Sequence, residues 1–187
     1  MIQAMLDLVR LQVIIPELIL DLVYATPRNF TGQPVYPAGA GAYLCARPAE
    51  RLKRVQKRLQ KQRLQLKVFD AYRPLSVQKI FWTFLPDPLY VADPSIGSCH
   101  NRGAALDVTL VDAQGQELPM PSGFDDFTER AHQDFEPSDS ALARNRALLR
   151  EAMEQEGFIP YANEWWHFDD PEWASYPLLD ISFEELS

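Results

Sequence analysis

Two short segments, far apart in the chain, carry the side chains that suit a metal site. The first spans 98–107 and contains His100 and Asp107, and the second spans 164–167. A catalytic zinc takes three protein ligands from His and Asp or Glu and leaves its fourth position to water. A further carboxylate beside that water, such as Glu164, can act as a general base. The chain has only three histidines and two of them fall in these segments, so the leading hypothesis is a mononuclear zinc hydrolase.

The spacing within each segment restricts how these side chains can meet. His100 and Asp107 are seven residues apart, and an odd offset in a regular strand places side chains on opposite faces. They can converge only if His100 lies in the turn before the strand, or if a bulge shifts the alternation, and Gly103 permits either solution. Glu164 and His167 pose the same problem, which a bend at the start of a strand would solve.

Arg73 and His132 are two further side chains that could serve a site. Arg73 stands at a rigid turn before Pro74, where a fixed guanidinium could hold a carboxylate or stabilise a developing oxyanion. The alternative is a structural ion pair with Asp70 or another acid, and the local sequence does not decide between them. His132 lies in a polar segment without ligand-like companions, and we assign it a structural role.

Composition and charge limit the class of protein. A chain of 187 residues, 47% hydrophobic and 24% charged, is most simply one globular domain covering 1–187. The formal net charge of -8 argues against nucleic-acid and membrane partners, and it is compatible with a small zwitterionic or cationic substrate. Residues 1–20 show no secretory signal, so we expect a cytoplasmic protein in which Cys45 and Cys99 are reduced thiols. The sequence leaves a disulfide between them open.

Periodicity and turn signals predict the elements that must position these side chains. We expect helices over 47–65, 76–84 and 138–157, and strands over 66–69, 103–111, 158–159 and 164–168. Strands and helices are mixed without a regular βαβ rhythm, and a long loop follows the strand that contains Asp107. The pattern therefore predicts an α+β fold with a central antiparallel sheet flanked by helices.

Together these segments resemble the D-alanyl-D-alanine dipeptidases of the vancomycin-resistance type, which are zinc enzymes related to D,D- and L,D-carboxypeptidases and to the hedgehog amino-terminal domain. The resemblance follows the family's order through Tyr-Ala-Thr-Pro-Arg-Asn-Phe-Thr-Gly at 24–32, Phe-Asp-Ala-Tyr-Arg-Pro at 69–74, the 98–107 segment and Glu-Trp-Trp-His-Phe at 164–168. It implies a hedgehog-like, D,D-peptidase-like fold. Residues 1–20 do not belong to the pattern and form an N-terminal extension of uncertain role.

The resemblance assigns roles to the metal and catalytic residues. It implies that His100, Asp107 and His167 are the ligands of one Zn²⁺ per chain. Glu164 matches the catalytic base and Arg73 the active-site arginine.

The resemblance also implies substrate contacts. Ser98 matches a substrate-contacting serine, and Tyr24 belongs to the same pocket. An acid that binds the free amine of the substrate falls at Asp125 or Asp126, and the sequence does not choose between them. The implied activity is hydrolysis of the small dipeptide D-Ala-D-Ala to two D-alanines, which would connect the protein with peptidoglycan and with cell wall biogenesis or degradation.

Two other functions would use the same residues. A D,D- or L,D-carboxypeptidase acting on peptidoglycan stem peptides would keep the zinc and the base but leave the amine end of the pocket open. The absence of a recognisable signal peptide counts against it. A non-catalytic, zinc-bearing binding module would not need Glu164 and Arg73 beside three ligands. No heptad pattern or interface indicates an oligomeric state.

Overall fold

The computed structural model describes residues 8–186. Within that range the strands are β1 (Leu8–Arg10), β2 (Ile19–Leu20), β3 (Tyr43–Cys45), β4 (Gln65–Asp70), β5 (Ala105–Val111), β6 (Ile159–Pro160) and β7 (His167–Asp169). The α-helices are α1 (Leu11–Ile14), α2 (Ala46–Gln60), α3 (Leu75–Phe84) and α4 (Ser140–Glu154). Short 3-10 turns lie at Val23–Ala25, His100–Arg102, Glu129–Ala131 and Trp173–Ser175. This mixture confirms the predicted α+β class.

The main sheet has five strands in the order β2-β4-β5-β7-β6, and β1 pairs with β3 in a separate antiparallel ribbon. All neighbours in the main sheet are antiparallel except β2 and β4, which run parallel. The central strand β5 is buried along all of its seven residues. Leu106, Val108 and Leu110 alternate along it with Asp107 and Thr109, so that one face of the strand packs in the main core and the other carries polar side chains.

The main core lies between the sheet and helices α2 and α4. Leu52, Val55 and Leu59 recur along α2 with the period of a helix; they are fully buried and cluster with Leu149 of α4 and Leu66 of β4. Each such side chain contributes about 1.5–3 kcal/mol by its removal from water. A second cluster is mostly aromatic and surrounds α3; it consists of Tyr24, Tyr36, Tyr43, Tyr72, Val77, Phe81, Val91 and Phe183.

Several predicted boundaries are wrong, and the causes are local. Helix α2 ends at Gln60 rather than at 65, because the chain turns through Arg63, which has a left-handed φ of 61°. The turn contains neither Gly nor Pro, so no residue type marks the end of the helix in the sequence. Helix α4 begins at Ser140, where the Asp139 side chain accepts a hydrogen bond from the backbone N–H of Ala141 at 2.8 Å. Residues 164–166 form a turn, and only His167–Asp169 is a strand.

The first described residues are part of the fold. Leu11, Ile15 and Leu18 are buried in the main core. Residues 1–7 of the predicted N-terminal extension lie outside the described residues. Across residues 8–186 no helix is long and apolar enough to cross a membrane. No disulfide joins Cys45 and Cys99.

Candidate active site

Asp107, His100 and His167 come from adjacent parts of the main sheet. Asp107 on β5 is paired directly with His167 on β7, so both side chains stand on the same face of the sheet. His100 lies in the 3-10 turn that leads into β5, which is the first of the two solutions that the spacing allowed. Gly103 ends this turn with a φ of 61°, and a Cβ there would come within 3.2 Å of the backbone nitrogen of Cys45.

The three ligand candidates face one another at distances that suit a single metal ion. His100 Nε2 lies 3.1 Å from His167 Nδ1 and 3.3 Å from Asp107 Oδ1. The distance between His167 Nδ1 and Asp107 Oδ1 is 3.0 Å. Tetrahedral zinc with ligands at about 2.0–2.1 Å separates its ligand atoms by about 3.3 Å. The His-Asp-His cluster could therefore hold a metal ion.

Hydrogen bonds from the outer ring nitrogens fix both imidazoles in the orientation that ligation requires. His100 Nδ1 lies 2.6 Å from the carbonyl oxygen of Ala71, and His167 Nε2 lies 3.0 Å from Asp169 Oδ1. With the proton of each neutral ring on its outer nitrogen, the lone pair of the inner nitrogen faces the cluster. Burial disfavours a charged His167 ring, but Asp169 and Asp107 outweigh burial and raise its pKa well above the usual range. Since a ligand histidine must be neutral, metal binding competes with protonation there.

Glu164 lies beside the ligand cluster, with Oε2 3.8 Å from His167 Nδ1. Its turn is anchored by Trp165 and Trp166, which are both buried. The backbone N–H of Trp165 donates to Ala131 at 2.8 Å, and the indole N–H donates to Ser122 Oγ at 3.0 Å. Burial raises the pKa of Glu164 to about 8. A carboxylate in these surroundings takes up a proton more readily than an exposed one, which suits a general base.

Arg73 forms the structural ion pair and also lines the cavity. Its Nε and Nη2 atoms donate to Asp70 Oδ2 at 3.0 and 2.8 Å, so the structural ion pair is present. The same side chain lines the cavity that contains the ligand cluster. Its guanidinium carbon lies 4.7 Å from the ring centre of Phe81 and 5.3 Å from that of Tyr24. Arg73 is therefore a rigid cation at the cavity wall.

The cavity has a volume of about 210 Å³. The predicted metal and catalytic residues line it together with predicted substrate contacts: Tyr24, Arg73, Ser98, His100, Asp107, Asp125, Glu164 and His167. Clefts that hold drug-sized ligands measure about 300–1,000 Å³, so this one suits a smaller molecule. Ser98 Oγ accepts a hydrogen bond from the backbone N–H of His100 at 3.1 Å, which holds its hydroxyl at the cavity wall near the ligand cluster.

The two neighbouring acids of the 112–126 loop have different positions. Asp125 lines the cavity, where its Oδ1 accepts a hydrogen bond from the Tyr24 hydroxyl at 3.0 Å. Its backbone adopts a left-handed φ of 58°, and burial raises its pKa to about 7. Asp126 is not among the cavity residues, and its Oδ1 instead accepts a hydrogen bond from the Thr128 hydroxyl at 2.6 Å.

Two supporting residues of this site, Asp169 and Gln78, are not among the residues that the sequence predicts. Asp169 lies two residues after His167 on β7, and the period of a strand could have identified it as a partner on the same face. Gln78 on α3 accepts a hydrogen bond from Arg73 Nη1 at 2.8 Å. No short spacing signals this contact, because it depends on how the turn at Pro74 places α3. His132 lies outside the ligand cluster.

Comparison with known proteins agrees with this geometry. Residues 4–184 match the peptidase family described as D-ala-D-ala dipeptidase. The chain belongs to this family. It is 41% identical over 180 residues to the D-alanyl-D-alanine dipeptidase of Escherichia coli K12, a match that covers 95% of this chain and 91% of that protein. The D-alanyl-D-alanine dipeptidase of Enterococcus faecium is 34% identical, over 83% of this chain and 89% of its own length.

A third relative, the D-alanyl-D-alanine dipeptidase of Streptomyces coelicolor, is 36% identical over 79% of this chain and 83% of its own length. Family and relatives confirm the resemblance that the sequence motifs indicated. The chain is accordingly a metallopeptidase, with a His-Asp-His cluster able to hold the metal.

Proposed function

We propose that this protein is a zinc-dependent dipeptidase that hydrolyses D-alanyl-D-alanine to two molecules of D-alanine. The observation that carries the proposal is the convergence of the His100, Asp107 and His167 ligand atoms, within 3.3 Å of one another, in a cavity that Glu164 and Arg73 also line. All three relatives are named as D-alanyl-D-alanine dipeptidases, which supports D-alanyl-D-alanine as the substrate. Because the cavity draws on residues from Tyr24 to Asp169, we propose a single catalytic domain.

Two nitrogens and one oxygen at tetrahedral spacing suit zinc, and three protein ligands leave a position for water or substrate. A bound zinc ion would polarise the scissile carbonyl and acidify a water molecule. Glu164 takes the proton from the attacking water and delivers it to the nitrogen of the leaving amino acid. Its carboxylate lies beside the ligand cluster, 3.8 Å from His167 Nδ1, where it can reach a water bound there.

Arg73 stabilises the negative charge that develops on the carbonyl oxygen. Its positive charge is held in place before the reaction by Asp70 and Gln78, so little reorganisation is needed as the charge appears. Removing a donor of this kind costs about 2.7–4 kcal/mol of transition-state stabilisation in other hydrolases.

The polar side chains of the cavity would recognise both ends of a dipeptide. Asp125, oriented by Tyr24, binds the free ammonium group, and we prefer it to Asp126 because only Asp125 lines the cavity. Ser98 binds the dipeptide near its carboxylate end. A site that binds both termini within a cavity of about 210 Å³ favours a dipeptide over a longer peptide.

The test is a hydrolysis panel with purified, zinc-loaded protein. We expect cleavage of D-Ala-D-Ala, little cleavage of L-Ala-L-Ala or of an N-acetylated dipeptide, and loss of activity with a chelator that added zinc restores. Cleavage only of blocked or longer peptides would replace this function with that of a carboxypeptidase. Stoichiometric zinc without any peptide cleavage would favour a binding module.

A further inference from the structure

We propose that Gln78 is a positioning residue that sets the orientation of the Arg73 guanidinium and links it to the cavity wall. The inference rests on the proposed function, in which Arg73 stabilises the oxyanion. Gln78 lies in α3 and is fully buried. Both ends of its amide are engaged: Oε1 accepts from Arg73 Nη1 at 2.8 Å, and Nε2 donates to the carbonyl of Ala92 at 2.9 Å.

Asp70 alone does not fix the guanidinium. Both hydrogen bonds from Arg73 to Asp70 end on the same oxygen, Oδ2. The other oxygen, Oδ1, accepts a hydrogen bond from the Tyr36 hydroxyl at 2.7 Å. A bidentate pair would use two oxygens and fix the angle between the two groups. With one oxygen, the guanidinium can rock about Oδ2, and the contact from Gln78 to Nη1 on the other side removes that freedom.

The donors of Arg73 can be counted. A guanidinium has five N–H groups, and three of them are used by Asp70 and Gln78. One N–H remains on each of Nη1 and Nη2. The direction of both remaining donors is set by the three contacts already made, so the orientation that Gln78 imposes determines where an oxyanion is stabilised.

The residue type fits this task. A neutral amide accepts a hydrogen bond from Arg73 without adding a second negative charge to that of Asp70, so the guanidinium keeps its field in the cavity. A carboxylate at this position would reduce that field and would also face the Ala92 carbonyl with an acceptor in place of a donor.

The second hydrogen bond of Gln78 connects Arg73 with another segment that lines the cavity. Ala92 belongs to the segment 85–98, in which Pro88, Leu89, Tyr90, Val91, Ala92, Gly97 and Ser98 line the cavity. One buried amide therefore joins the catalytic arginine, helix α3 and the segment that contains Ser98, so that the arginine and this wall keep a fixed separation.

The test compares two buried glutamines by steady-state kinetics on D-Ala-D-Ala. We expect Gln78→Ala to lower kcat roughly 10- to 100-fold, because small displacements of a catalytic group have effects of this size. KM should stay within about threefold and the zinc content should not change. Gln78→Glu keeps the shape and should also lose kcat. Gln56→Ala is the control: Gln56 is equally buried and its Oε1 accepts from Leu66 N–H at 2.9 Å, outside the cavity. It should lower thermal stability while kcat stays at the wild-type value.

A double-mutant cycle separates positioning from general damage. If Gln78 acts through Arg73, Gln78→Ala should lower kcat by less than about threefold when Arg73 is already Ala. A full multiplicative loss in that background would overturn the inference, as would wild-type kcat in Gln78→Ala. A zinc-loaded wild type without dipeptidase activity would overturn the proposed function instead. A crystal structure of Gln78→Ala would then decide on Gln78: we expect a guanidinium rotated about Asp70 Oδ2, and an unmoved one would refute positioning.

Discussion

The hydrogen bond between Asp169 and His167 allows a quantitative prediction about metal affinity. Asp169 Oδ1 lies 3.0 Å from His167 Nε2 and fixes the ring so that Nδ1 faces Asp107 and His100. We predict that Asp169→Ala weakens zinc binding by about 10- to 100-fold, the usual effect of losing such a partner. This corresponds to about 1.4–2.7 kcal/mol of binding free energy.

The same loss should appear in thermal unfolding at a fixed concentration of free zinc. Zinc stabilises the folded state through its affinity, so a weaker site stabilises it less by the same free energy. For a chain of this length, about 1.4–2.7 kcal/mol corresponds to about 3–11 °C in Tm. The measured quantity is the rise in Tm that zinc produces over the chelated protein, which removes any effect of the substitution on the metal-free fold.

Two variants define the comparison. Asp169→Asn keeps an oxygen that can accept the ring N–H, so it should retain more affinity than Asp169→Ala. Asp180→Ala removes a carboxylate that accepts from the backbone N–H of Ser76 at 2.7 Å, outside the ligand cluster, and should leave the zinc-induced rise unchanged. A wild-type rise in Asp169→Ala would show that this hydrogen bond does not orient His167.

The remaining predictions concern the base, the amine site and stability in acid. Glu164→Gln should keep zinc, by metal analysis, and lose at least about 100-fold in kcat, because proton transfer has no acceptor; turnover near wild type would remove Glu164 from the mechanism. Asp125→Asn should raise KM for D-Ala-D-Ala about tenfold or more through the lost charged contact, whereas an equal effect of Asp126→Asn would contradict the assignment. Burial opposes the charged form of Glu156, but hydrogen bonds from two arginines of α2 outweigh it and lower its pKa. Its ionised form therefore stabilises the fold above the ordinary Glu pKa of 4.5, and this stabilisation is lost as pH falls through the lowered value. In urea unfolding, Glu156→Gln should be less stable than wild type by about 1 kcal/mol at pH 7 and should match it in strong acid; a constant difference would refute the linkage.

Residue chemistry made the ligand candidates predictable. The two segments contain two of the three histidines of the chain together with carboxylates, which suit a catalytic zinc, and the Gly103 turn allowed His100 and Asp107 to converge. The choice between Asp125 and Asp126 was not predictable, because a single left-handed residue in an irregular loop decides which of them faces the cavity. Gln78 was also beyond prediction, since its contact with Arg73 depends on how the turn at Pro74 places α3.

The helices and strands likewise include features that the sequence predicted and features that it did not. The stripe of α2 was visible because apolar residues recur with the period of a helix. Its end was not visible, because the chain reverses through Lys61–Arg63 without a residue that marks a turn. The strand that contains His167 was predicted to begin at residue 164, whereas it begins at His167. The aromatic residues at 165 and 166 suit a strand, but here they anchor a turn.

The pairing of three neighbouring strands determines where this protein can tolerate insertions and deletions. Asp70, Asp107 and His167 lie opposite one another across β4, β5 and β7, and β4 reaches this alignment through an irregularity between Val68 and Asp70. Deleting one residue there would shift Asp70 by about 3.3 Å and turn the neighbouring side chains to the other face. The arginine that Asp70 holds would move away from the ligand cluster. We therefore expect insertions and deletions to be accepted at the exposed tip of the segment between β5 and α4, and to abolish activity in these three strands.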